Sequence, residues 1–284
     1  MKLIECPRDA MQGLHDFVPT QEKINYLNTL LSVGFDTLDF GSFVSPKAIP
    51  QLRDTAEVLA GLNLSETKTK LLAIVANVRG AEDACQFDEI AYLGFPLSVS
   101  ETFQQRNTNK SIAEALDVVA QIQELCAKHQ KTQVVYLSMG FGNPYNDPYS
   151  PELLVEFVEK LSALDLKVVS LADTIGVSTP SLIERSFKDL LPAYPHIEFG
   201  AHLHSNPHTV REKVAAAYHV GVRRMDTAMK GFGGCPMAKD DLVGNLATEQ
   251  VVDELEALGA DFSLEKEMFG RSLAEAGTLF GSYH

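Results

Sequence analysis

The sequence predicts an α/β fold, a (β/α)8 TIM barrel, on three observations. Short apolar strand-like segments alternate with helical patterns from end to end. There are eight, at residues 2–6, 37–40, 71–76, 89–92, 133–138, 167–171, 197–202 and 223–226. The length of 284 residues suits a barrel that typically needs about 250. The first segment runs into Pro7-Arg8-Asp9 and not into a glycine-rich phosphate loop, which disfavours the competing doubly wound sheet.

The helices between these segments are marked by their ends. Ser111-Ile112-Ala113-Glu114 is a capping box, followed by Ile112, Leu116, Val119, Ile122 and Leu125 at helical spacing. Ser150-Pro151 and Thr179-Pro180 each place a capping hydroxyl before a first-turn proline. Leu154, Phe157, Val158 and Leu161 continue the first of these as one apolar stripe. Thr248 is expected to cap a helix carrying Val252, Leu255 and Leu258, closed by Gly259. Residues 63–105 carry the weakest pattern. No composition break divides the chain, so residues 1–284 read as a single catalytic domain, with a loop at 231–245 and a short helical tail.

A net charge of −14, from 24 basic and 38 acidic residues, excludes a general nucleic-acid surface and disfavours anionic membranes. No apolar run approaches the roughly 18 residues of a membrane span, and strand-like sequence begins at Leu3 with no signal segment before it. The four cysteines, Cys6, Cys85, Cys126 and Cys235, stand far apart without a CxxC, which suits a reduced compartment. The expectation is a cytoplasmic protein with neither nucleic acid nor membrane as partner.

In such a barrel the C-terminal strand ends are the default place for chemistry. They hold Arg8 and Asp9 after the first strand, Asp39 on the second, Gly140-Phe141-Gly142-Asn143 after the fifth and Asp173 at the sixth. His202 and His204 follow on the seventh, Asp226 on the eighth, and then Gly233-Gly234-Cys235-Pro236. The two histidines, two apart on one strand, face the same way. With Asp9 they could converge on one divalent cation, or they could simply hydrogen-bond at a strand end; mixed N/O ligation suits Mg²⁺, Mn²⁺ or Zn²⁺ alike. Arg8 is placed to hold an oxyanion or a substrate carboxylate. Asp39 and Asp173 read as site carboxylates or as caps. Cys235 reads as a small core residue or as a group on a loop that closes over a site.

Six motifs in order carry a resemblance. They are Pro7-Arg8-Asp9-Ala10-Met11-Gln12, Ser42-Phe43-Val44-Ser45-Pro46-Lys47, Ser100-Glu101-Thr102 with Asn109-Lys110-Ser111, Asp173-Thr174-Ile175-Gly176, Gly233-Gly234-Cys235-Pro236, and Gly244-Asn245-Leu246-Ala247-Thr248-Glu249. Together they resemble, nearly end to end, the 3-hydroxy-3-methylglutaryl-CoA lyases of the DRE-TIM metallolyase superfamily. The resemblance implies that Asp9, His202, His204 and Asn245 bind Mg²⁺ or Mn²⁺. It implies that Arg8 stabilises a thioester enolate, Cys235 moves a proton, and Asp173 assists the base or orders the metal ligands. Asp39 stands where the family has a glutamate. Gln12 is a candidate substrate contact. The implied reaction is a retro-aldol-type cleavage of an acyl-CoA to acetyl-CoA and a keto acid; a homodimer stays open.

The chain departs from the family at Ser205-Asn206 (Asp-Thr in the family), at Asn143 (Cys), at Gly13-Leu14-His15 (Asn-Glu-Lys) and after Cys235. The Ser205 departure implies the loss of a carboxylate that could orient the metal ligands. Two other readings keep the barrel: an aldolase or Claisen-type synthase acting on another hydroxy or oxo acid, and a metabolite-binding barrel with impaired catalysis.

Overall fold

Strands alternating with helices can bury both sheet faces only by winding the helices outside a closed sheet, and the chain does so. The structure is a computed structural model that describes residues 1–234 and 243–283. Its parallel strands are β1 (Lys2–Glu5), β2 (Thr37–Ser42), β3 (Lys70–Ile74), β4 (Ile90–Ser98), β5 (Thr132–Ser138), β6 (Val168–Asp173), β7 (Glu198–Ser205) and β8 (Arg224–Thr227). Each pairs with the next, and β8 returns to β1 with Lys2 opposite Arg224 and Glu5 opposite Thr227, which closes the barrel. Every expected strand is present. A short ninth strand, β9 (Gly244–Asn245), runs antiparallel to β7 and sets Asn245 opposite His204.

The unclear stretch at 63–105 resolves into β3, the helix Val78–Ala84 capped by Asn77, β4, and the helix Glu101–Thr108 capped by Ser100. β4 runs six residues beyond its expected end at 92 because Leu93, Phe95 and Leu97 stay in register with β5 to Ser98. Gly94 and Pro96 hid this in the sequence. The β3–β4 ladder stops at Gly94, so the N–H that Pro96 lacks is not required on that side. The capping box at Ser111 and the caps at Ser150 and Thr179 form as expected. Thr248 does not cap its helix. Ala247 holds the cap position, and the Thr248 hydroxyl donates to Glu5 instead, at 2.6 Å.

One large apolar cluster fills the layer between strands and helices. A smaller one, Leu72, Tyr92, Val134, Tyr136 and Val168, fills the barrel itself. At about 1.5–3 kcal/mol for each fully buried large aliphatic side chain, these layers dominate the stability of the scaffold. At the floor of the barrel Arg224 pairs with Glu198 (3.3 Å), Lys2 pairs with the same carboxylate, and Arg224 lies over Tyr92. The C-terminal helix Lys266–Ser282 packs Phe280 between Tyr26 and Phe232, with ring centroids 5.8 and 4.8 Å apart. That contact fixes the segment leaving β8. Among the described residues, no helix is long and apolar enough to cross a membrane.

Candidate active site

Pro7 cannot continue the β1 ladder, and its fixed φ starts the short helix Pro7–Gln12 directly at the strand end. Arg8, Asp9 and Gln12 therefore sit on one helical turn over the barrel mouth, just past the end of the strand. Arg8 is buried. Its Nε and Nη2 donate to both oxygens of Asp39 on β2 (3.0 and 2.5 Å to Oδ2, 3.2 Å to Oδ1). Nη1 donates to Asp9 Oδ1 (3.0 Å) and Gln12 Oε1 (2.9 Å). A guanidinium has five N–H donors. Among the described residues one Nη2–H remains uncommitted, held in a fixed orientation.

Burial alone would raise the Asp9 carboxyl. The adjacent Arg8 guanidinium, both histidines and the Asn245 amide overcome it and hold Asp9 at about 2. Asp39 ends the other way: burial pushes it up to about 6 against the pull of Arg8. Asp9 is thus fixed as an anion, whereas Asp39 sits within reach of neutral pH.

β7 turns His202 and His204 toward the same mouth, ring centroids 5.3 Å apart. His202 Nδ1 lies 3.1 Å from Asp226 Oδ2 and His204 Nδ1 lies 3.0 Å from the Thr174 carbonyl. Both partners can only accept, so each ring carries its proton on Nδ1 and presents the lone pair of Nε2. His204 Nε2 is buried and finds no partner among the described residues. Burial and the neighbouring His202 lower the pKa of His204 to about 4, which keeps it neutral. His202 is shifted upward: burial opposes, but the Asp226 carboxylate prevails.

Ligand atoms of Asp9, His202 and His204 lie within 4.8 Å of one another. Asn245 joins them through Nδ2, which donates to Asp9 Oδ2 (2.7 Å) and to the Phe232 carbonyl (2.9 Å). An orphaned buried imidazole nitrogen, a carboxylate held ionised and a second imidazole of the same tautomer fit a divalent cation.

The remaining candidates divide. Asp173 is buried at the end of β6, but its carboxylate accepts from the Val177 and Ser178 amides, both 2.9 Å, and pairs with buried Lys213 (3.3 Å). It reaches the histidines only through its neighbour Thr174 and through Lys213, which also donates to the His204 carbonyl (2.8 Å). Ser205 turns away from the site toward Thr209 and the Asn206 carbonyl. Asn143 braces its own loop, accepting from the Tyr145 and Asp147 amides. Cys235 lies outside the described residues. The glycines before it have a clear cause: a side chain on Gly233, at φ 84°, would meet the Asp9 carbonyl at 2.7 Å.

Sequence reasoning placed Asp226 at a strand end but gave it no role; it supplies the orienting carboxylate that Ser205 lacks. The signal was its position on β8, next to the strand that carries His202. Lys213 left no such signal, because a lysine on an amphipathic helix reads as solvated.

Comparisons with known proteins identify the family of this barrel. The HMGL-like family model matches residues 3–273. The hydroxymethylglutaryl-CoA lyase YngG of Bacillus subtilis is 33% identical over 92% of this chain and 86% of its own length. A Pseudomonas aeruginosa protein, named a 3-hydroxy-3-isohexenylglutaryl-CoA/hydroxy-methylglutaryl-CoA lyase, is 32% identical over 91% of this chain and 85% of its own. The solved HMG-CoA lyase of Acinetobacter baumannii, in complex with coenzyme A and 3-methylmalate, superposes with a TM-score of 0.90 at 30% identity, covering 99% of this chain and 91% of that one. With a barrel of the same fold and a family match over nearly its whole length, the chain belongs to the HMGL-like family, the carbon–carbon lyases of the DRE-TIM superfamily.

Proposed function

We propose that this protein is a divalent-metal-dependent lyase that cleaves 3-hydroxy-3-methylglutaryl-CoA, or a 3-hydroxyacyl-CoA of similar shape, into acetyl-CoA and a keto acid, acetoacetate for the first substrate. The observation that carries the reading is the pair of imidazoles with Nε2 free, gathered with an ionised Asp9 beside a clamped Arg8. Asp9, His202, His204 and the amide oxygen of Asn245 would hold Mg²⁺ or Mn²⁺. When bound, the cation supplies a Lewis acid for the hydroxyl and carboxylate oxygens of the substrate.

The protein's own groups do the rest. A base takes the proton of the tertiary hydroxyl, and Asp39, at about 6, is the site carboxylate poised to accept it near neutral pH. The electron pair left on oxygen forms the ketone as the carbon–carbon bond breaks, and the bonding pair passes into the thioester enolate. The remaining Nη2–H of Arg8 is oriented for that enolate oxygen, in the manner of an oxyanion donor. Cys235, which follows Gly233 and Gly234 in the sequence, would return a proton to the enolate carbon. Gln12, bonded to both Arg8 and Asp9, meets the substrate from the same helical turn. Asp173 and Thr174 keep the His204 ring in place.

The test supplies the metal-stripped protein with Mn²⁺ or Mg²⁺ and a series of 3-hydroxy-3-alkylglutaryl-CoA thioesters, and measures acetyl-CoA release. Metal-dependent release supports the reading. No turnover of any thioester, together with no binding of coenzyme A, would sink it and favour an aldolase acting on a free oxo acid.

A further inference from the structure

Glu5 is fully buried on the wall of the barrel, outside the cluster of proposed metal ligands. It touches three points on two separate segments. Its Oε1 accepts from the Met229 amide (2.8 Å), in the segment leaving β8. Its Oε2 accepts from the Thr248 hydroxyl (2.6 Å), in the segment that follows Asn245, and from the Thr227 hydroxyl (3.3 Å). The two segments are tied directly above it: the Ala228 amide donates to the Leu246 carbonyl (3.0 Å) and the Thr248 amide to the Ala228 carbonyl (3.1 Å). They run so close that a side chain on Gly231 would meet the Asn245 carbonyl at 2.9 Å.

We propose that Glu5 is the positioning residue for Asn245. It pins the segment bearing Asn245 to β1, whose next helical turn bears Asp9, and so sets the separation of these two ligands. The idea rests on the reading of Asn245 as a metal ligand. A hydrophobic residue at position 5 could fill the same space but could not bind both segments at once. The carboxyl does so because it offers two acceptor oxygens 120° apart on one planar group.

The environment of Glu5 suits a neutral carboxyl. Burial pushes its pKa up to about 8, while the Thr248, Met229 and Thr227 donors pull it back. The titratable groups facing it are Tyr26, from the helix Thr20–Leu31, and Glu249, from the helix Thr248–Ala257; among the described residues no cation offsets it. With its proton on Oε2 directed at the Thr227 hydroxyl, which donates on to the Ile4 carbonyl (3.4 Å), a neutral Glu5 still accepts from the Met229 amide and the Thr248 hydroxyl, so it joins the two segments without a full charge in the wall.

The experiment compares the full chain with Glu5→Gln, Glu5→Ala and Thr248→Val, reading Mn²⁺ affinity at pH 7 and amide hydrogen exchange of the metal-free protein. Glu5→Ala is expected to weaken Mn²⁺ binding by about 10-fold or more, the scale for groups that orient metal ligands. It should speed exchange at Ala228 and Thr248 while β4 and β5 amides stay protected. Glu5→Gln, which keeps an acceptor oxygen, should restore most of the affinity, and Thr248→Val should fall between. Combined with Asn245→Ala, the Glu5→Ala change should add nothing further to the loss of affinity. Additive losses, or unchanged exchange at Ala228 and Thr248 in Glu5→Ala, overturn the proposal. Absence of Mn²⁺ binding in the unsubstituted protein overturns the ligand assignment instead, and the exchange measurement then decides on Glu5 alone.

Discussion

The two ends of the barrel use charge differently. At the floor, two cations, Lys2 and Arg224, share Glu198, and the Lys2 and Glu198 side chains stay 40% and 32% exposed, so solvent screens that pair. At the mouth, one guanidinium, Arg8, faces the buried carboxylates of Asp9 and Asp39, with Asp226 beneath His202. Among the described residues three carboxylates there face one guanidinium, and His202, shifted toward its protonated form, offsets only part of the excess in a place that water screens poorly. A buried excess of that size is costly unless an ion compensates it. The floor is a structural lock, and the mouth has the charge and geometry that the proposed dication would need.

The contrast sharpens first through the mouth carboxylates. In a Mn²⁺ titration, Asp9→Asn is expected to abolish measurable binding, while Asp226→Asn, which disturbs only the tautomer and aim of His202, weakens it by ~10–100-fold. Equal losses for the two would break the distinction between a ligand and the residue that orients one. A smaller effect concerns the wall between the two ends. Glu5 titrates near 4.5 when unfolded and at about 8 when folded, so folding takes up a proton between those values. The stability owed to its neutral form is present below about pH 4.5 and is lost as pH rises through about 8. Melting temperatures should therefore decline from pH 5 to 9 more steeply for the wild type than for Glu5→Gln; parallel curves would refute it. The smallest effect lies at the floor. Lys2→Gln removes a half-exposed ion pair and should cost no more than ~1 kcal/mol in denaturant unfolding, with Mn²⁺ affinity unchanged. A large affinity change there would mean that the two ends are coupled.

The fold was readable because its signals are local and repeated: capped helices, apolar strands, and no phosphate loop after β1. What escaped was set by context. Pro96 and Gly94 look like breakers, and only the missing β3 partner beyond Gly94 shows why the strand continues. Thr248 looks like a cap, and only the fold reveals Glu5 beneath it. The convergence of His202 and His204 on the barrel mouth was legible from a spacing of two on one strand. Asp226 and Lys213 were not, because their roles arise from β8 and from the helix Val210–Val220 packing against β7 and β6. The Ser205 departure pointed to a lost orienting carboxylate, yet the neighbouring strand supplies one.

The antiparallel strand β9 has a consequence for how the molecule is made. A ribosome completes the eight-stranded sheet at Thr227, but Asn245 emerges only afterwards and must fold back beside β7. Synthesis proceeds at about 5–20 residues per second and domains generally fold as units from the N-terminus. The nascent scaffold can therefore close around Asp9, His202 and His204 before Asn245 arrives. For that interval the growing chain presents the Asp9, His202 and His204 cluster alone, and the proposed fourth ligand joins only after the barrel is built.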